Sequence, residues 1–154
     1  MSSPSQAFFS PGTACRDAII HQINTASSHL RICVFTISDD IITEALIKAK
    51  RRGINVLIVT DNDKLFDLGS DIIRLSGEGV EIKVDNTSNH MHHKFMLVDD
   101  RTLLNGSYNW TRSAAKYNQE NIIVTSDREM ISLFQKEFNK LWDEMTTYRS
   151  AVNT

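Results

Sequence analysis

Apolar residues along the chain fall into two kinds of block, and the two kinds alternate. From about Thr13 to Ser27, Ala14, Ala18, Ile19, Ile23 and Ala26 recur at spacings of three and four, the period of one helical face. His29 to Ile37 (HLRICVFTI) is dense in β-branched and aromatic residues and predicts a strand. Ser38, Asp39 and Asp40 then offer capping oxygens and negative charge to a second helix, with a buried stripe of Ile41, Ile42, Ala45, Leu46 and Ala49. Lys48, Lys50, Arg51 and Arg52 crowd its last turn, where cations suit the carbonyl end, and Gly53 supplies the stop. Ile54 to Val59 (INVLIV) is almost wholly apolar, as a strand buried on both faces is.

Strand, helix, strand with short joints makes a βαβ unit and so a parallel pair. A second round follows, with a weaker helix near Leu65 to Ser76, interrupted by Gly69, and the strand Val80 to Val84. Asp85 to Asn89 is a turn-rich loop. His92 to Val98 and Thr102 to Asn105 read as a hairpin turning at Asp99-Asp100-Arg101. A short helix around Thr111 to Lys116 and a strand from Glu120 to Thr125 come next. Asp127 caps the last helix, with a stripe of Met130, Leu133, Phe134, Phe138, Leu141 and Met145. No repeat or linker interrupts the pattern. The expected fold is α/β, a mixed, mostly parallel β-sheet with helices on both faces, and residues 1–154 form one domain.

Composition narrows the function without naming it. With 41% hydrophobic and 23% charged residues, disorder and low complexity are excluded. No apolar run approaches the ~20 residues that cross a bilayer, and no stable membrane association is expected. Seventeen Lys and Arg against nineteen Asp and Glu leave a net charge of −2, so a phosphate-rich ligand must meet a local cationic cleft. Cys15 and Cys33 are too few for a disulfide framework or a zinc module. The opening MSSPSQAFFSPG has neither the basic segment nor the apolar core of a signal peptide, so a cytoplasmic location is expected. An exported form with a trimmed leader would read the same way.

The polar residues a catalyst needs gather between His90 and Glu120. In HMHHKFMLVDD, side chains alternate across a strand, so His92 and Lys94 share a face with Met96 and Val98. The hairpin returns through Leu103-Leu104-Asn105 and is expected to deliver Gly106-Ser107-Tyr108-Asn109 near the end of the first strand, while Glu120 opens the next strand. An imidazole, an ammonium, a carboxamide and a carboxylate can thus meet at one sheet edge. That set suits a phosphodiester. Lys94 and Asn109 hold the non-bridging oxygens, where charge grows as the bond breaks. His92 attacks phosphorus or protonates the leaving oxygen, and Glu120 fixes its tautomer.

HHKFMLVDDRTLLNGSYNWT resembles the HxKxxxxD and downstream GSxxN-type pattern of the phospholipase D superfamily, with His92, Lys94 and Asp99 filling its first half and Gly106, Ser107 and Asn109, here spaced GSxN, its second. Glu120 stands where that family places the carboxylate supporting its histidine. FSPG near the start and ALIKAKRRGINVLIV are also similar, so the resemblance spans most of the chain. HxKxxxxD alone arises by chance in roughly 2% of chains of this length, and the added Gly, Ser and Asn lower that about eight-thousandfold. The longer pattern is specific.

The motif, residues 92–109, occurs once, and in-line displacement needs an attacking group and a proton donor on opposite sides of phosphorus. The small endonuclease branch that the chain resembles pairs two identical chains, and a two-fold axis through the site would supply the second His92, Lys94 and Asn109. The resemblance implies a metal-independent, cofactor-free homodimer that cleaves DNA or RNA through a phosphohistidine. Two alternatives stand beside it: a cardiolipin-type phospholipid phosphodiesterase on the same site, and a non-catalytic nucleic-acid-binding module.

The remaining residues are weighed singly. Ser107 and Asn109 read as site residues over turn and cap residues. Trp110, with Tyr108, is expected to stack bases, against core packing as the alternative. Arg112 and Lys116 would extend the cationic groove if they are more than solvated surface. Asp99, closing a strand, is assigned to structure. His90, His92 and His93 as a metal site is the minor reading, since no third well-spaced ligand accompanies them.

Overall fold

The structure, a computed structural model, describes residues 4–62 and 70–148. Its elements run β1 (Gln6–Phe9), α1 (Ala14–Thr25), β2 (His29–Val34), α2 (Asp40–Arg51), β3 (Asn55–Thr60), α3 (Ile72–Gly77) and β4 (Glu81–Val84). Then follow β5 (Lys94–Val98), β6 (Thr102–Gly106), α4 (Arg112–Lys116), β7 (Asn121–Thr125), α5 (Arg128–Glu144) and β8 (Thr146–Thr147). One sheet holds every strand, in the order β1-β7-β6-β5-β2-β3-β4-β8.

The mixed sheet flanked by helices is as the sequence reads, but its balance is not mostly parallel. The parallel pairings are β2–β3 and β3–β4, the two βαβ units. All others described are antiparallel. The physical reason is connection length: the tight turn between β5 and β6 cannot cross over, so it forces an antiparallel pair. Asp99 and Asp100 make that turn at φ 53 and 56, a left-handed conformation that short polar side chains tolerate.

Two apolar layers cover the two sheet faces, and strand alternation assigns residues to them. Leu30, Ile32, Val34, Val56, Ile58, Met96, Val98 and Leu104 join the layer under α1, α2 and α3. Cys33, Val59, Phe95, Leu97 and Leu103 join the layer under α5. Caps follow the expected chemistry: Asp39 accepts from the Ile41 amide and Asp127 from the Met130 amide, each at 3.0 Å.

Several boundaries shift. β2 ends at Val34, and Ile37 instead makes an isolated parallel bridge to Trp110. On α5 the buried face runs Ile131, Phe134, Phe138, Leu141 and Met145, while Met130 and Leu133 are exposed. Starting the three-four count one residue later recovers that face. Ile41, in the first turn of α2, is also exposed. β1 and β8 carry no apolar alternation that would have marked them, and each forms by pairing at an edge of the sheet. The expected helix near Leu65 to Ser76 survives as α3, and its part before residue 70 lies outside the described residues.

Candidate active site

The topology brings the motif to one edge of the sheet. The C-terminal ends of β2, β3 and β6, the N-terminal ends of β5 and β7, and the C-terminal end of β1 all lie there. The Phe35 amide donates to the His93 carbonyl at 3.1 Å, tying the chain after β2 to the segment that carries His92.

His92 and Lys94 meet directly. The Lys94 ammonium lies 3.1 Å from His92 Nδ1 and donates to the His92 carbonyl at 2.9 Å. An ammonium has no lone pair, so in this contact Nδ1 is the acceptor and Nε2 carries the proton of a neutral ring. Phe35 supports both groups, with its ring 4.5 Å from the His92 ring and 5.8 Å from Lys94 Nζ. Burial lowers the His92 pKa, and the charges of Lys94, His90 and His93 lower it further against an opposing pull from Asp61. Burial likewise lowers Lys94, while the Glu120 carboxylate raises it.

Asn109 and Glu120 arrive from the neighbouring strands. Asn109 Oδ1 accepts from the Thr36 amide at 3.3 Å, which uses its oxygen and leaves its NH2 as donor. Glu120 is held through Ser10. Its amide donates to Ser10 Oγ at 3.1 Å, the Ser10 amide donates to its carbonyl at 3.1 Å, and Ser10 Oγ donates to the Asn118 carbonyl at 2.7 Å. The Asn118 side chain donates to the Glu120 carboxylate at 3.3 Å. The Glu120 carboxylate raises the Lys94 pKa, and the Asp61 carboxylate raises that of His92.

Ser107 pins the two strand ends: its amide donates to the Asn121 carbonyl at 3.0 Å, and its Oγ accepts from the Asn121 amide at 3.1 Å. Gly106 precedes it at a point of close approach. A Cβ there would stand 2.0 Å from the Asn121 carbonyl oxygen, so only glycine fits. Asp99 is structural, as the sequence suggests. Its carboxylate accepts from the amides of Ser27, Ser28 and His29 at 2.8–2.9 Å and from Ser27 Oγ at 3.1 Å. Burial would raise its pKa, but the Ser27, His29 and Ser28 amides outweigh that and hold it at about 2.

Two expected substrate contacts are corrected. Trp110 and Tyr108 are each 1% exposed and belong to the core under α1 and α2, so neither presents a ring to a base. Arg112 is exposed and ion-paired with Asp40 at the start of α2, so its charge is already offset. The histidine cluster also fails as a metal site: among the described residues, no group of three His, Cys, Asp or Glu side chains is arranged to hold an ion. Sequence reasoning missed Asp61, Ser10, Phe35 and Thr36. Of these only Ser10 left a signal, within the FSPG segment.

A groove of about 540 Å³ runs beside His92, lined among others by Asn86, Thr87, Asn89, His90 and Glu144. A larger one, about 1010 Å³, lies at the opposite sheet edge by Asp100, Arg101 and Asp127, away from this chemistry.

A family model described as cardiolipin synthase, PLD-like domain, matches residues 19–142. The chain belongs to the phospholipase D superfamily. Its fold matches the crystal structure of another phospholipase D family member, Nuc from Salmonella typhimurium, with a TM-score of 0.90 and 27% identity, covering 97% of this chain and 100% of Nuc. Two curated relatives in this superfamily are named mitochondrial cardiolipin hydrolase. The one from Chlamydomonas reinhardtii is 46% identical over 79% of this chain and 54% of its own length. That from Xenopus laevis is 41% identical over 82% of this chain and 60% of its own length. The chain therefore spans little more than half the length of these relatives.

The expectation of a hydrolase of the phospholipase D superfamily agrees with the family match, the fold and these names. The expected cytoplasmic location is overturned, because the relatives are named for mitochondria. A missing leader-like pattern was weak ground for a compartment. Among the described residues no helix is long and apolar enough to cross a membrane.

Proposed function

We propose that this chain is a phosphodiesterase that hydrolyses a cardiolipin-type phospholipid, and that two identical chains bring two His92 side chains to one phosphorus. The observation that carries the reaction class is the contact of His92 with Lys94, on the motif strand of a superfamily member. The relative at 46% identity, named a cardiolipin hydrolase, supports the substrate class. The groove beside His92 supports it too. Among the described residues its lining includes neutral amides and hydroxyls with Asp85 and Glu144, and no Lys or Arg, which suits a polyol better than a run of flanking phosphates.

The chemistry follows from the groups present. An arriving phosphate draws the Lys94 ammonium off Nδ1 and onto a non-bridging oxygen, where the Asn109 NH2 joins it. His92 of one chain, once solvent has taken the Nε2 proton and returned one to the freed Nδ1, attacks phosphorus through the Nε2 lone pair. The bond from phosphorus to the leaving alkoxide breaks, and that oxygen takes the Nε2 proton of the partner's His92, which enters the step as the imidazolium after taking a proton from solvent and leaves it as the neutral ring. Water next attacks phosphorus, giving its proton back to the partner's His92, and the nitrogen–phosphorus bond breaks. Acid catalysis contributes about 10²–10⁴-fold, so covalent and electrostatic terms supply most of the rest. The scheme calls on no metal or cofactor.

Cleavage of DNA or RNA is the second reading, since a nucleic-acid phosphodiester presents the same phosphorus and the motif resembles the small endonuclease branch. It has lost Trp110 as a stacking ring, and Arg112 reaches it already paired with Asp40. A non-catalytic binding module leaves the His92–Lys94 contact without a purpose. The relatives' names also support action at mitochondria.

The test incubates the protein with EDTA and, separately, cardiolipin-containing vesicles, single- and double-stranded DNA, and RNA. Release of phosphatidic acid, lost in His92→Ala, is expected. Cleavage of nucleic acid with cardiolipin untouched overturns the lipid assignment, and an active species of monomer mass in sedimentation overturns the pairing.

A further inference from the structure

Asp61 follows directly on β3, at the same edge as His92, and its side chain is fully buried. Burying a carboxylate is costly unless it is well paired, so its partners define its purpose. One oxygen accepts from the Met91 amide at 2.8 Å, and the other lies 3.3 Å from His90 Nδ1. The two grips fall on the two residues before His92. From His90 the contact continues through the Phe35 ring, 5.4 Å from His90 and edge-on at 85°, to His92 at 4.5 Å.

We propose that Asp61 is a positioning residue for His92, fixing through the Met91 amide and the His90 ring the segment that leads into it, a supporting part that the resemblance assigns to Glu120. The proposal rests on His92 being the reacting group. Glu120 is accounted for elsewhere, since its carboxylate acts on Lys94 and its backbone is bound to Ser10. The charged or titratable groups acting on His92 are Lys94 from β5, His90 and His93 from the preceding loop, and Asp61. Burial and the first three all disfavour the imidazolium, and among the described residues Asp61 opposes them. The partner's imidazole must carry a proton to the leaving oxygen, so this counterweight keeps a proton available.

Asp61→Asn removes the charge yet keeps an oxygen for the Met91 amide. The measurement is the NMR titration of the His92 ring in the wild type and in Asp61→Asn, with signals identified by their loss in His92→Gln. Hydrolysis of bis(p-nitrophenyl) phosphate is followed across pH in parallel. The His92 midpoint should move to lower pH in Asp61→Asn. The acid limb of the rate profile should move with it, and kcat should fall about ten- to a hundredfold. Asp61→Glu keeps the charge but displaces the Met91 amide, so it should lose kcat with a near-wild-type midpoint.

An unchanged midpoint in a folded Asp61→Asn overturns the proposal. The titration needs no turnover, so an inactive wild type refutes the phosphodiesterase reading and leaves the test of Asp61 intact. If Asp61→Asn does not fold, the Met91 amide in the wild type decides. Hydrogen exchange much slower than in the exposed loop around it supports the anchor, and exchange as fast as its neighbours overturns it.

Discussion

The ammonium of Lys94 occupies the Nδ1 face of His92 at 3.1 Å while also bonding to the carbonyl of the same residue. In the proposed reaction the imidazole thus rests in the wrong tautomer for attack, held there by the residue assigned to bind phosphate. Substrate arrival and activation of the imidazole become one event. Lys94→Ala should therefore lower kcat about 10²–10³-fold with little change in melting temperature, because it removes both the charge and the coupling. Lys94→Arg should not restore the rate, since a planar fork cannot replace a point charge at this distance. Steady-state kinetics with thermal denaturation of each variant checks both.

Asp99 makes the fold sensitive to acid. Its folded pKa of about 2 lies below the ordinary 3.8, so the native state favours the ionised form. The stabilisation is fully present above the unfolded pKa and is lost as pH falls toward 2, a difference of about 2 kcal/mol. Asp99→Asn should be less stable than the wild type by about that amount at pH 7, with the gap closing between pH 4 and pH 2. Denaturant unfolding at a series of pH values reads this directly.

Gly106 is the motif residue with no chemical function and no tolerance. Any Cβ meets the Asn121 carbonyl, and relief requires prising β6 from β7 where Ser107 joins them. Gly106→Ala should cost about 3 kcal/mol or more and reduce activity in whatever fraction remains folded. Circular dichroism melts alongside turnover separate the two losses.

Trp110 should behave as core. Trp110→Ala is expected to cost about 3–5 kcal/mol, while Trp110→Phe, if folded, should leave KM unchanged. A raised KM in a stable Trp110→Phe would return the residue to the substrate side.

What the sequence made legible follows from range. Lys94 and Asp99 sit on β5 and its turn with His92 two residues before the strand, so spacing along one short stretch relates all three without knowledge of the rest. The α5 stripe was readable except for its phase, because Met130 and Ile131 are both apolar and neither carries a mark of burial. Trp110 was not readable, since it follows β6 in an irregular stretch that has no period to say which way a ring points. Asp61 was invisible for a different reason. It ends an ordinary apolar strand, and only the pairing of β2 with both β3 and β5 carries that strand end toward His92. Ser10 likewise meets Glu120 only because β1 pairs with β7 at the rim of the sheet.

That last contact gives the opening segment a leverage out of proportion to its length. The hydroxyl and amide of Ser10 brace Glu120 and Asn118 from a strand at the sheet's outer border. Limited proteolysis through Pro11 would spare every motif residue and still silence the enzyme, so a latent form could be made without touching its chemistry.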